Sequence, residues 1–326
     1  MQLATGSGYG KVILFGEHFV VDGVPAIASA IADQTDGEAR LAKGDPPAVG
    51  PETFVINGNG WTLYDNRPET PGYKKDKAAE QTKAIDRMLD FLKIDRVKTP
   101  LYLMQGGKLL AVSGVGASAA SCTALARSIN GLLGLKLDDE RINNVAFEGE
   151  KGFAGTPSGI DNTASVFGGL IYFRKQQPKN IMDRLRLKKP VEIVEGNTGL
   201  TSSTEKVVSD VKARRLAEPA KFKPLYDEME ELVPEARKAL ESYNLKKVGE
   251  LMNRNHEILQ KLTVSCKELD MLVEIARKEG AIGAKMTGTG RGGYMVALTP
   301  GNELQENVAR AIENAGFKTM KTRIGI

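Results

Sequence analysis

The chain has 326 residues, 41% of them hydrophobic and 26% charged, with a formal net charge of +4. That length suits about two domains with ordinary cores, and the interleaving of acids with bases excludes a disordered chain or an arginine-rich nucleic-acid binder. No apolar run reaches the ~20 residues of a membrane helix, and nothing resembles a signal peptide. Two cysteines, Cys122 and Cys266, have neither disulfide nor metal spacing and point to a reducing compartment. A cytoplasmic protein that binds neither nucleic acid nor membrane is expected, and its mild basic excess suits a small anionic substrate.

Gly10–Val21 (GKVILFGEHFVV) reads as a buried strand interrupted by Gly16-Glu17-His18, then a second apolar stretch ending at the turn signal Asp22-Gly23. Ala26–Ile31 is a further strand, and the proline- and glycine-rich stretch from Gly44 to Pro71 is a region of hairpin and loop. Apolar residues at near-helical spacing predict a helix over Asp76–Leu92, and Leu101–Met104 is a strand. It leads to Leu109–Ser121 (LLAVSGVGASAAS), where a Ser-Gly-Val-Gly loop opens an alanine-rich helix that runs to Leu133, with Gly134 as its C′ residue. Asp138 or Asp139 caps a helix ending at Lys151–Gly155, and Thr156–Gly159 forms a loop into a short helix. Gly168-Gly169 turns into a strand at Leu170–Phe173. The basic, proline-containing segment Arg174–Pro190 is the best domain boundary, giving an N-terminal domain over 1–185 and a C-terminal domain over 186–326. A strand at Val191–Val194 follows, then helices near 203–215, 223–243 and 246–262. Ser265–Glu268 matches a capping box. Ala284–Thr287 and Tyr294–Leu298 form a strand pair around a glycine-rich loop. Without strict alternation of strand and helix, the class is α+β.

Glycines let the backbone approach an anion, and a helix N-terminus favours negative charge, so the 113–119 loop is a candidate phosphate cradle. It is neither a Walker A loop nor a dinucleotide fingerprint, and taken alone it reads first as an ordinary helix start with glycines in the preceding turn. Glu150 lies four residues after Ala146 and eight after Ile142, so it continues an apolar stripe, and it sits in a last helical turn where the dipole opposes it. A buried ion pair or a magnesium ion would resolve both conflicts. Asp161 stands near a helix N-terminus, where an acid is common for the dipole alone. Lys11 heads an apolar strand, a place where an exposed lysine is the commoner case. His18 is either a satisfied core histidine or a substrate donor, and His256 reads as solvent-facing. Gly283–Gly293 (GAKMTGTGRGG) holds five glycines in eleven residues, with Thr287, Thr289 and Arg291 as candidate anion donors.

Together these segments resemble the GHMP small-molecule kinases, in the form used by mevalonate kinases and especially those of trypanosomatid parasites. Gly10–Gly23 is similar to the first signature, the 113–119 loop to the second and Gly283–Gly293 to the third, in the same order along nearly the whole chain. Two departures stand out: Ala117 replaces the first serine of the second signature, and Arg291 replaces a usual glycine of the third. The resemblance implies a two-domain fold with the active site in the cleft between the domains, and a homodimer. It implies ATP and Mg2+ as cofactors and transfer of the γ-phosphoryl group to the 5-hydroxyl of mevalonate. Asp161 and Lys11 are then catalytic, and Ser118 and Glu150 hold magnesium. Ser113, Gly114, Val115, Gly116, Ala117, Ser118, Ala119, Gly288, Thr289 and Gly290 bind ATP. Glu17, His18, Thr201, Ser202 and Ser203 face the substrate. Phosphomevalonate, a sugar or homoserine are alternative substrates within the family. A non-catalytic ligand sensor is the alternative outside it, disfavoured because Lys11, Glu150 and Asp161 are all retained.

Overall fold

The computed structural model describes residues 3–112, 114–154, 157–178 and 180–326. Two strands open the chain, β1 (Leu3–Phe15) and β2 (Ala26–Leu41), joined through a 3-10 turn at Phe19–Asp22. The break expected at Gly16–His18 is therefore present, but the second apolar stretch curls into that turn instead of extending. Two compact units form, and both are discontinuous: Met1–Lys11 with Ala32–Gly168, and Val12–Ile31 with Gly169–Ile326.

In the first unit, β3 (Phe54–Gly58) and β4 (Trp61–Asp65) form the hairpin. Helices α1 (Tyr73–Asp76) and α2 (Ala78–Phe91) precede β5 (Leu101–Gly107), and α3 (Ala117–Leu133), α4 (Asp139–Ala154) and α5 (Ile160–Phe167) complete the unit. β5 pairs parallel with β4 and antiparallel with β2, Gly37 standing opposite Gln105. The core is built from Trp61, Leu63, Ile85, Met88, Leu103, Cys122, Leu125, Ile129, Ile142 and Val145. Cys122 is thus the small core residue its apolar surroundings suggest. α3 lies unusually close to the strands because glycines face it. A Cβ on Gly8 would stand 2.5 Å from the Ala120 carbonyl, and one on Gly37 2.7 Å from the Ala124 backbone. α3 runs over the span that the alanine-rich pattern predicts, and Gly134 closes it in the left-handed region with φ 59°.

In the second unit, β6 (Leu170–Arg174) pairs antiparallel with the start of β2 and with β7 (Ile181–Leu185), a strand inside the segment read as a linker. β8 (Val191–Asn197) precedes four helices, α6 (Thr204–Ala217), α7 (Pro219–Glu241), α8 (Leu245–Lys261) and α9 (Lys267–Lys278). β9 (Gly283–Thr287), β10 (Tyr294–Leu298), α10 (Asn302–Asn314) and β11 (Lys318–Ile324) end the chain. The sheet runs β2–β11–β8–β10–β9, antiparallel throughout. The capping box expected at Ser265 is displaced: Cys266 is the N-cap of α9, and the Ser265 hydroxyl donates to Asp270 at 2.5 Å. Among the described residues, no helix is long and apolar enough to cross a membrane.

Candidate functional site

The first unit gathers four of the residues singled out by sequence. Lys11, at the end of its share of β1, is buried, and its amide donates to the Val115 carbonyl at 2.9 Å. Its ammonium lies 3.4 Å from Asp161 Oδ2 and 3.4 Å from the Gly114 carbonyl. The glycine loop therefore wraps the lysine stem. Gly116, the N-cap of α3 with φ 72°, has no room for a Cβ, which would stand 2.8 Å from Lys11 Cγ. Asp161 occupies the first turn of α5 behind Gly159, whose φ of 89° makes the entry turn. The exposed strand-edge reading of Lys11 is set aside by this burial. Ser113 lies outside the described residues.

Glu150 is 4% exposed on the inner face of α4, as its place in the apolar stripe requires. Burial, then the neighbouring Asp161 carboxylate, pushes its carboxyl up to about 8, against a hydrogen bond from Ser118 and the attraction of Lys11. Glu150 Oε1 is buried with no hydrogen-bond partner among the described residues. An orphaned carboxylate oxygen beside a second carboxylate and a hydroxyl is the donor set of a hard divalent cation. A cation there would supply the missing partner and return Glu150 to its charged form.

Beside Ser118 lies a recess that sequence reading missed, lined by Phe54, Arg67, Tyr73, Lys74, Lys77 and Phe153 among others. Arg67 is buried, pairs with Asp65 at 2.6 Å and donates to the Ala117 carbonyl at 3.3 Å. Lys74 is buried too and donates to the Asp65 carbonyl at 3.1 Å. Their only sequence signal was opposite charges two residues apart in a proline-rich stretch, which stands out nowhere.

The second unit holds the other residues. Glu17 and Lys285 form an ion pair with both side chains fully buried, and Lys285 also donates to the Met286 carbonyl at 2.7 Å. Burial lowers the Lys285 pKa against the opposing pull of Glu17. Lys285 carried no signal in the sequence beyond an interruption of an apolar strand. His18 takes a left-handed backbone, φ 63°, and its Nε2 lies 2.7 Å from the Thr289 carbonyl. Burial lowers its pKa, outweighing that bond, and Arg291 adds to the lowering. A recess beside it is lined by His18, Val21, Asp22, Val208, Val211 and Lys212.

The third glycine loop spends its polar side chains within the protein. Thr287 donates to the Ile13 carbonyl at 2.8 Å, and the Thr289 hydroxyl pairs with that of Thr204 at 2.7 Å. Arg291 pairs with Asp210 and donates to the Thr263 carbonyl at 3.3 Å. All three candidate anion donors are thus committed within the protein. Ser202 donates to the Gly290 carbonyl at 2.6 Å, Ser203 caps α6 by accepting from the Lys206 amide, and Thr201 is exposed. His256 is not solvent-facing: it is 2% exposed, its Nδ1 accepts from the Met286 amide at 3.2 Å and its Nε2 lies 3.1 Å from Asp270.

Family models match both parts of the chain: the GHMP kinases N terminal domain over residues 83–169 and GHMP kinases C terminal over residues 236–318. The mevalonate kinase of Pyrococcus horikoshii is 37% identical over 99% of this chain and 96% of its own. The crystal structure of L. major mevalonate kinase in complex with R-mevalonate matches with a TM-score of 0.90 at 40% identity, covering 98% of this chain and 95% of that one. Streptococcus pneumoniae phosphomevalonate kinase shares the fold, with a TM-score of 0.71 at 14% identity over 99% of this chain and 100% of that one.

Proposed function

The chain belongs to the GHMP kinases, within them to the mevalonate kinases, and on that premise we propose that it transfers the γ-phosphoryl group of ATP to the 5-hydroxyl of mevalonate. The observation that carries the chemistry is the approach of Lys11 to Asp161, 3.4 Å apart and beside the second-signature loop. Phosphoryl transfer needs positioning and charge stabilisation more than covalent chemistry from the protein. Asp161 accepts the proton of the substrate hydroxyl, and the buried Lys11 ammonium beside it places positive charge where negative charge develops on the substrate oxygen.

The phosphates fall to the backbone from Ser113 to Ala119, with Gly288, Thr289 and Gly290, and the recess lined by Arg67, Tyr73 and Phe153 takes the rest of the nucleotide. Ser118 and Glu150 are the residues that would hold Mg2+, and the orphaned Glu150 oxygen supports that assignment. When bound, the ion supplies positive charge against the phosphate oxygens. Because Ala117 has no hydroxyl, Ser118 alone of the pair serves. On the substrate side we place His18, Glu17, Thr201, Ser202 and Ser203, with Glu17 acting through its buried bond to Lys285 rather than by direct contact. A homodimer in the cytoplasm is part of the same reading, the two unpaired cysteines being its support for the compartment.

A coupled assay of ADP release with mevalonate, phosphomevalonate, galactose and homoserine tests the substrate. Mevalonate is expected to give the highest kcat/KM by at least ~10²-fold, since a site built for one set of polar groups rejects analogues lacking them. Equal or better turnover of any other alcohol overturns the assignment.

A further inference from the structure

We infer that Asp210 and Arg291 are positioning residues: their ion pair fixes the third glycine loop so that the Thr289 carbonyl holds the His18 imidazole in one orientation and one tautomer. The inference rests on the reading that His18 faces the substrate.

A carbonyl only accepts, so at 2.7 Å from the Thr289 oxygen His18 Nε2 must carry the hydrogen. The neutral ring then presents Nδ1 as an acceptor, and Nδ1 is buried without a partner among the described residues. Where that ring sits depends on where the loop carries Thr289. The loop has little means of holding itself, since Gly288, Gly290, Gly292 and Gly293 all lie at positive φ, from 77° to 129°. Arg291, in their midst, stands where the family resemblance predicts glycine and takes φ 52° to do so. It secures the loop three ways. Its amide donates to the Val264 carbonyl at 2.7 Å, its Nε to the Thr263 carbonyl at 3.3 Å, and its terminal nitrogen pairs with Asp210 on α6.

α6 serves both ends of this linkage. Val208, Val211 and Lys212 of the same helix line the recess beside His18. Its first residue, Thr204, meets the Thr289 hydroxyl at 2.7 Å, and Ser202 just before it donates to the Gly290 carbonyl at 2.6 Å. The helix that walls the recess is therefore the one that anchors the residue fixing His18.

The test uses the full chain as Arg291→Ala, Arg291→Lys and Asp210→Asn, with 15N-labelled histidine read by NMR alongside steady-state kinetics. Only two histidines are present, and His256→Gln assigns the pair. Wild type is expected to show His18 as a single Nε2–H tautomer. Arg291→Ala and Asp210→Asn are expected to mix the tautomers and to raise KM for mevalonate roughly five- to fiftyfold with a far smaller change in kcat, as misplacement of a binding group does. Arg291→Lys, which keeps the ion pair, restores most of both. A pair that served stability alone would lower Tm and leave tautomer and KM unchanged, and that result overturns the inference. If wild type does not phosphorylate mevalonate, the functional reading falls, and the tautomer measurement by itself still decides whether the loop holds His18.

Discussion

Removing only the charge from Asp161 separates the work of its carboxylate from its place at the head of α5. Asparagine keeps the shape and the helix-terminal position but cannot accept a proton from an alcohol. Asp161→Asn is expected to lower kcat at least ~10²-fold, with nucleotide affinity changed less than about twofold. Near-normal kcat, measured beside a nucleotide titration, would remove the base assignment. The Glu17–Lys285 pair is the other single-residue test. Both side chains are fully buried, so Lys285→Met removes the charge that faces a buried carboxylate. Breaking such a pair from one side costs about 3–5 kcal/mol, whereas replacing both partners costs far less. Urea unfolding should show that loss in Lys285→Met and recover at least half of it in the double variant Glu17→Gln/Lys285→Met. A single-variant loss below about 1 kcal/mol would mean that the ion pair contributes little to holding Glu17 in the interior.

Between residue and fold stands the docking of α3, which carries the phosphate loop at its N-terminus. Ala120 and Ala124 face Gly8 and Gly37 across a gap with no space for a methyl group. A Cβ on Gly8 would meet the Ala120 carbonyl at 2.5 Å and Thr123 Cβ at 2.8 Å, both rigid atoms. Gly8→Ala is therefore expected to destabilise the protein by about 1–3 kcal/mol, the usual penalty of overpacking, and to weaken nucleotide binding as the helix is pushed back. Denaturation and a nucleotide titration check the two effects, and an unchanged nucleotide affinity would detach α3 position from the loop. At this scale the sequence was most readable where composition is extreme. The alanine run and Gly134 marked α3 from end to end, and four glycines marked the loop between β9 and β10. β7 was hidden within a basic, proline-containing segment that reads as a linker. The segment Val12–Ile31 belongs to the second unit with no shift in composition to mark the exchange. Glu150 was legible because it breaks a local rule, and Lys11 only through the resemblance that groups it with the three loops. His256, Lys285 and Arg67 were not, because their burial comes from packing against residues far away in sequence.

For the whole molecule, these buried groups set how stability follows pH. His256 is held down to about 4, burial outweighing the attraction of Asp270, and burial lowers His18 as well. An unfolded histidine takes up its proton near 6.5, so as pH falls below 6.5 the unfolded chain binds protons that the folded one refuses. Stability from the histidines is thus complete above 6.5 and is lost as pH falls, that from His256 towards 4. Glu150 acts in the opposite direction. Its folded value of about 8 lies above the ordinary glutamate value of 4.5, so the metal-free fold keeps a proton that the unfolded chain releases. Its contribution is complete below 4.5 and is lost as pH rises to 8. Each proton is worth about 1.4 kcal/mol per pH unit. Between 6.5 and 8 only Glu150 differs among the three, so stability falls with pH; below 6.5 His256 opposes it down to 4.5, and His18 adds to that opposition. The metal-free protein should therefore be most stable near pH 6.5. In Glu150→Gln, which cannot ionise, the decline between 6.5 and 8 should vanish while the loss below 6.5 steepens. Urea midpoints at half-unit intervals from pH 5 to 8.5 measure both limbs. A decline above 6.5 that survives in Glu150→Gln would place its origin in another group and return Glu150 to an ordinary paired carboxylate.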